Sequence, residues 1–208
     1  MRLARKLGPC LPKLIKWFEA EGRSYVWRRS RDWYVIMVSE FLLVRTRSSV
    51  AERAVKEILD YYPTPEALCS SNPSEVLAFL EGVFRRVGLV KRARWLYEAV
   101  CKLVKSSKDV CSYELRSLPG VGSYIEAVIR NRVCGEPKPF IDSNVQRVIS
   151  RVYGGNLPLK DIEESMLELG IDVSLLCYAL MDLAHAYCKP RKPRCKSCPL
   201  RECCDYAM

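Results

Sequence analysis

The chain has 208 residues, 49% of them hydrophobic, enough to bury a core in one compact unit or two small interlocked ones and too many for a disordered tail. Lys and Arg number 34 against 24 Asp and Glu, and the formal charge of +10 points to a polyanionic partner, nucleic acid first. No run approaches the roughly 18 apolar residues that span a bilayer, and Met1 to Leu11 lacks the apolar region of a signal peptide, so the expected location is the cytoplasm, with no membrane association.

In chain order, Leu14, Ile15, Trp17 and Phe18 recur at helical spacing, and Gly22 to Arg31 breaks the pattern. Trp33 to Val44 reads as a strongly apolar helix that Asp32 can cap. Helical patterns follow at Val50 to Tyr61, Ser74 to Glu81 and Val90 to Val104, separated by Pro63, Pro65, Pro73 and Gly88. A short helix after Asp109 is expected to end near Leu118, followed by the turn Pro119-Gly120-Val121-Gly122 and a helix from Ser123 toward Val133. Gly135 to Pro139 reads as a linker, and three more helices fit Ser143 to Tyr153, Asp161 to Leu169 and Val173 to Ala186. No alternating strand pattern or internal repeat appears, so the fold class is all-α.

Of eleven cysteines, Cys188, Cys195, Cys198, Cys203 and Cys204 crowd into the C-terminus. Cys188, Cys195, Cys198 and Cys204 stand in the frame C-x6-C-x2-C-x5-C, a short loop able to place four thiolates around one centre. Zinc takes four thiolates tetrahedrally and a 4Fe–4S cluster takes one per iron, so the spacing leaves both open. Two disulfides are the alternative, disfavoured without a secretion signal. Cys203 competes with Cys204 as fourth ligand, whereas Cys10, Cys69, Cys101, Cys111, Cys134 and Cys177 are expected to be small buried hydrophobes. Between the first two ligands, Lys189, Arg191, Lys192 and Arg194 alternate with Pro190 and Pro193, making a stiff basic loop able to grip phosphates, or simply a solvated charged loop.

Leu118-Pro119-Gly120-Val121-Gly122 joins two helical pieces. Each glycine can take positive φ, and the following helix start can aim several backbone N–H groups at one anion. A tight helix–helix turn is the plainer reading of the same residues.

The hairpin, the segment Phe140-Ile141-Asp142-Ser143-Asn144-Val145-Gln146-Arg147-Val148 and the terminal four-cysteine frame occur in an order that resembles endonuclease III and MutY-type helix-hairpin-helix DNA glycosylases. The resemblance covers nearly the whole chain, including Gly22-Arg23 through Trp27-Arg28 and the helix Val38 to Thr46. It implies a six-helix domain over 30–136 carrying the hairpin, and a second domain from 1–29 and 137–208 carrying a 4Fe–4S cluster. The active site is expected in the cleft between them, acting as a monomer on double-stranded DNA with a mispaired base.

Breaking an N-glycosidic bond builds positive charge on the deoxyribose, and a fixed carboxylate facing the sugar stabilises that transition state. The resemblance gives this part to Asp142, with Asn144 as its supporting polar residue, although Asp142 also reads simply as the N-cap of the next helix. Glu40 lies among apolar residues that disfavour its charged form, and it matches the family's catalytic glutamate; the alternative is a solvent-facing helix position. Tyr124 aligns with the lysine that bifunctional members use as Schiff-base nucleophile, and a phenol cannot form that adduct, so a monofunctional enzyme is expected. Arg45 and Leu89 match residues that fill the duplex when a base is flipped, while Arg85, Arg86, Lys91, Arg92 and Arg94 read as general phosphate contacts.

Two substrates stay open. Tyr124 and Leu42-Leu43-Val44-Arg45-Thr46 resemble archaeal-type enzymes that remove thymine or uracil opposite guanine. MutY-type enzymes, which remove adenine opposite 8-oxoguanine, usually carry Gln-Gln-Thr in place of Val44-Arg45-Thr46 and a further C-terminal domain, whereas this chain ends four residues after Cys204. A non-catalytic iron–sulfur DNA-binding module and a zinc-bound structural protein are the readings from other classes. His185, on an apolar helix, is expected to be a core residue or a neighbour of the ligands, not a base.

Overall fold

The computed structural model describes residues 2–44 and 46–207. Its regular structure is helical, with no strand among the described residues. No helix among them is long and apolar enough to cross a membrane. The chain forms two compact units, Met1–Arg23 with Glu136–Met208, and Ser24–Gly135. The N-terminal segment contributes α1 (Arg2–Leu7) and α2 (Leu11–Glu21). The continuous unit holds α3 (Val26–Arg29), α4 (Trp33–Leu43), α5 (Ser48–Tyr61), α6 (Pro65–Ser70), α7 (Pro73–Arg86), α8 (Val90–Ser106) and α9 (Ser123–Arg132). The C-terminal segment adds α10 (Ser143–Tyr153), α11 (Leu159–Leu167) and α12 (Val173–Ala186).

In the continuous unit α4 is apolar all round, so it has no face to give to water and must sit in the middle. Tyr34, Ile36, Met37, Val38, Phe41 and Leu42 are buried, and α4 packs against α5, α8 and α9. Asp32 caps it by accepting the Tyr34 N–H at 2.7 Å. The amphipathic helices around it turn single stripes inward, Ala51, Ala54, Val55 and Ile58 on α5 and Ala93, Leu96, Ala99 and Val100 on α8. The turn from α7 to α8 depends on Gly88, whose φ is +74°. There the Leu89 N–H reaches the Phe84 carbonyl at 2.9 Å and the Gly88 N–H reaches Arg85 at 3.1 Å, satisfying carbonyls that the helix end leaves open.

Several short elements differ from the sequence expectation, α1 among them, where no helix was read. α3 forms inside the stretch read as a break, and α6 forms where only prolines were noted, with Thr64 accepting the Ala67 N–H and Pro65 preset for a first helical position. The segment after Asp109 is two 3-10 turns, Val110–Ser112 and Leu115–Ser117, not a short helix. There the Ser112 and Tyr113 N–H groups bond back three residues to Asp109 and Val110, and Ser117 and Leu118 to Glu114 and Leu115, which closes 3-10 rather than α-helical turns. Arg130 pins the segment from α9 by donating to the Cys111 and Tyr113 carbonyls.

In the unit formed by both chain ends, α10 packs on α12 and α1, and α2 lies against α12. Asp182, 3% exposed on α12, accepts the Arg23 backbone N–H at 2.8 Å and its guanidinium at 2.8 and 2.5 Å. A buried carboxylate persists only when its oxygens are satisfied in this way, and the pairing fixes the end of the N-terminal segment.

The cysteines correct an expectation. Cys10–Cys203, Cys69–Cys101 and Cys111–Cys134 are disulfides with Cα separations of 6.3, 5.4 and 5.5 Å. Only Cys177 of the six remains a buried free thiol. Pairing follows from packing: α6 lies on α8, which brings Cys69 beside Cys101 across a sequence gap of 32.

Candidate active site and thiol centre

The hairpin is anchored by its apolar residues. Leu118 and Val121 are 3% and 5% exposed, so what they offer outward is backbone. Gly120 is required twice over. Its φ is +76°, and a Cβ there would stand 2.9 Å from the Phe41 ring and 3.2 Å from Trp95 Cβ. Gly122 does not use the left-handed region: it is the extended N-cap of α9, φ −91°, exposed, with open space where a side chain would go. The first N–H groups of α9 have no partner within their helix and carry the positive end of its dipole, so Gly122 and Ser123 open onto a place suited to an anion. Tyr124, half-buried, begins that helix.

Glu40 is 5% exposed on the otherwise largely apolar α4, which removes the solvent-facing alternative. It has a polar or electrostatic partner there. Leu89 is partly exposed at the N-cap of α8, and Arg45 lies outside the described residues. Arg86 pairs with Glu57 at 2.5 Å, which makes it a weaker candidate for free phosphate contact than Arg85. Arg92 is half-buried: its guanidinium sits 5.7 Å from the Phe41 ring centroid and points to the Phe41 carbonyl at 3.4 Å, and desolvation pulls its pKa down.

Asp142 belongs to the other unit. It is the N-cap of α10, where Oδ1 accepts the Asn144 and Val145 N–H groups at 2.9 and 2.8 Å and Oδ2 accepts Asn144 Nδ2 at 2.6 Å. The capping and the catalytic readings are compatible, because the cap fixes the carboxylate. Sequence reasoning passed over Arg147. One turn along α10, it donates to Asn144 Oδ1 at 3.0 Å and to the Cys188 carbonyl at 2.8 Å. The i, i+3 spacing of Asn144 and Arg147 was the signal available.

Cys188, Cys195, Cys198 and Cys204 are free, and all four line one small cavity walled by Val148, Val152, Leu183 and Leu200. Burial pushes the Cys198 thiol up to about 11. Cys203 is buried in its disulfide with Cys10, so of the two candidate fourth thiols only Cys204 is free. Arg151 closes the rim. It donates to Cys188 Sγ at 3.3 Å, to the Lys189 carbonyl at 2.8 Å and to the Pro190 carbonyl at 3.0 Å, and it stacks 4.5 Å from the Tyr206 centroid. Arg147 and Arg151 therefore hold the backbone of the loop while Arg191, Lys192 and Arg194 stay exposed and Lys189 partly so. Among the described residues no three His, Cys, Asp or Glu side chains converge on a single-ion site. Of the two places expected for His185, the core is excluded: it lies exposed in the last turn of α12, three residues before Cys188, with its pKa lowered first by partial desolvation and then by Arg23.

Residues 38–170 match the HhH-GPD superfamily of base excision DNA repair proteins, and the chain belongs to that family. Within it the chain is a DNA glycosylase, which displaces the non-catalytic binding-module reading. It is 32% identical to a thymine-DNA glycosylase of Aeropyrum pernix over 93% of this chain and 92% of that one. It is 30% identical to an adenine DNA glycosylase of Mycolicibacterium smegmatis over 92% of this chain and 67% of the relative. A solved thermostable thymine-DNA glycosylase superimposes with a TM-score of 0.83 at 27% identity, covering 98% of this chain and 97% of that one.

Proposed function

We propose that this DNA glycosylase is monofunctional and removes thymine or uracil opposite guanine from duplex DNA as a monomer. The observation that carries the base assignment is the 32% identity to a thymine-DNA glycosylase over nearly the full length of both chains. In this reading Asp142, held by α10's own N–H groups and by Asn144, stabilises positive charge on the deoxyribose as the base departs. Glu40, buried on α4, assists departure of the base by supplying a proton. Tyr124 stands where a Schiff-base lysine would, so the product is an intact strand with an abasic site.

The hairpin Leu118 to Gly122 holds a phosphate through the N–H groups that open α9, and Lys189, Arg191, Lys192 and Arg194 hold another stretch of backbone. Leu89 and Arg45 enter the duplex where the extruded base has left a gap. The donor set of Cys188, Cys195, Cys198 and Cys204, four free thiols lining one cavity, fits a 4Fe–4S cluster, which takes one thiolate per iron. The cluster, when bound, supplies rigidity to the basic loop and no bond-breaking chemistry.

Single-turnover excision on duplexes carrying T·G, U·G, A·G and A·8-oxoguanine, each with and without alkali, tests the reading. Thymine and uracil release with strand breaks only after alkali is the expected result. Adenine release would instead support the second reading, which the 30% identity to an adenine DNA glycosylase favours.

A further inference from the structure

Trp95 is an unusual residue to leave on a surface, and it is 41% exposed. It sits on α8 with Ala93, Leu96, Ala99 and Val100 turned inward, so the indole belongs to the outer face. Its Cβ is 3.2 Å from the point where a side chain on Gly120 would begin, which places it beside the hairpin turn. On α8 it shares its face with Lys91 and Arg92 at i−4 and i−3 and with Glu98 at i+3, so cations outnumber the one carboxylate there. Lys91, Arg92 and Arg94 precede it on α8 with no acidic residue before Glu98. Lys91 and Arg94 are exposed and form no ion pair among the described residues, while Arg92 is committed to Phe41.

A large apolar side chain kept in water beside exposed Lys91 and Arg94, against a turn whose N–H groups suit an anion, calls for an occupant that is both anionic and partly apolar. A nucleic-acid strand has that chemistry, with phosphates for Lys91, Arg94 and the hairpin and deoxyribose faces for the ring. The indole also matches it in hydrogen bonding, because Nε1–H is a donor with no acceptor and phosphate oxygens are acceptors only. We propose that Trp95 is a DNA-backbone contact, packing on deoxyribose and donating to a phosphate of the strand held by the hairpin. The assignment rests on the reading of the hairpin as a phosphate-binding element. Such a contact positions the strand without reading its sequence, so it acts equally on matched and mismatched duplexes.

The test is fluorescence anisotropy with matched and T·G duplexes for wild type, Trp95→Ala, Trp95→Phe and Gly122→Glu, with thermal melting of each and acrylamide quenching of wild type and Trp95→Phe with and without DNA. Gly122→Glu has ordinary φ and open space, so it folds while repelling phosphate. Trp95→Ala is expected to weaken binding about fivefold on both duplexes, the scale of one lost contact, and Trp95→Phe less. DNA is expected to shield a tryptophan component from acrylamide that Trp95→Phe lacks. Wild-type affinity for Trp95→Ala with weak binding by Gly122→Glu would overturn the Trp95 assignment alone. Equal affinity for all variants would overturn the hairpin reading with it. Affinity lost only in step with melting temperature, with quenching unaffected by DNA, would show that Trp95 merely packs the turn and would overturn the assignment too.

Discussion

Arg147 donates to the side-chain oxygen of Asn144 at 3.0 Å, and its Nε donates to the carbonyl of Cys188 at 2.8 Å. Asn144 in turn donates to Asp142 at 2.6 Å, so three side chains on one helix turn connect the carboxylate to the first residue of the thiol loop. Asp142→Asn keeps a capping oxygen and loses the charge. Its single-turnover excision rate is expected to fall by about 10²–10³-fold, the scale of a lost electrostatic stabiliser, with melting temperature nearly unchanged. Arg147→Gln is expected to cost about tenfold in the same assay, because it loosens the orientation of Asn144 and leaves the carboxylate in place. An Arg147→Gln rate equal to wild type would make the connection structural only.

Tyr124 carries a prediction about product. Tyr124→Lys places an amine at the start of α9, and borohydride is expected to trap a covalent DNA adduct in that variant and none in wild type. Trapping with the wild-type protein would place strand cleavage among its own activities.

The pairing of Cys10 with Cys203 has a consequence for the adjacent thiol. Cys10→Ser frees Cys203 next to Cys204, and on the proposed 4Fe–4S reading the expected result is a protein that loses iron faster to a chelator than wild type does. Cys10→Ser with Cys203→Ser removes the competitor and restores iron retention, at lower thermal stability. If the four thiols hold the proposed cluster, wild type absorbs in the visible as iron–sulfur proteins do, and Cys198→Ser is expected to lose that absorption and to weaken duplex binding together.

Cys69 and Cys101 close a loop across a sequence separation of 32. Replacing both with Ser is expected to cost about 3–4 kcal/mol by loop entropy, which for a chain of this size lowers the melting temperature by about 10 °C. A reductant added to wild type should reproduce much of that shift in calorimetry and add nothing to the double variant's loss from this pair.

The helices that organise the molecule were legible before any coordinates. Trp33 to Val44, Ser143 to Tyr153 and Val173 to Ala186 announce themselves through local apolar pattern and capping residues, and α4, α10 and α12 occupy them to within a residue. Asp142 could be singled out for the same reason, since capping and the segment that follows it are contiguous in sequence. α3 and α6 escaped because four to six residues hold no measurable period, and the 3-10 turns after Asp109 are held from outside by Arg130, which no local pattern in that stretch encodes. The cysteines divide the two kinds of information most sharply. The spacing of Cys188, Cys195, Cys198 and Cys204 within one short loop was enough to nominate them, because a loop that short keeps its thiols together whatever the rest of the chain does. Which of Cys203 and Cys204 stays free, and which of the other cysteines pair, was decided by helix packing that brings residues 193, 32 and 23 positions apart within bonding reach, and no local pattern encodes a distance set by the whole core.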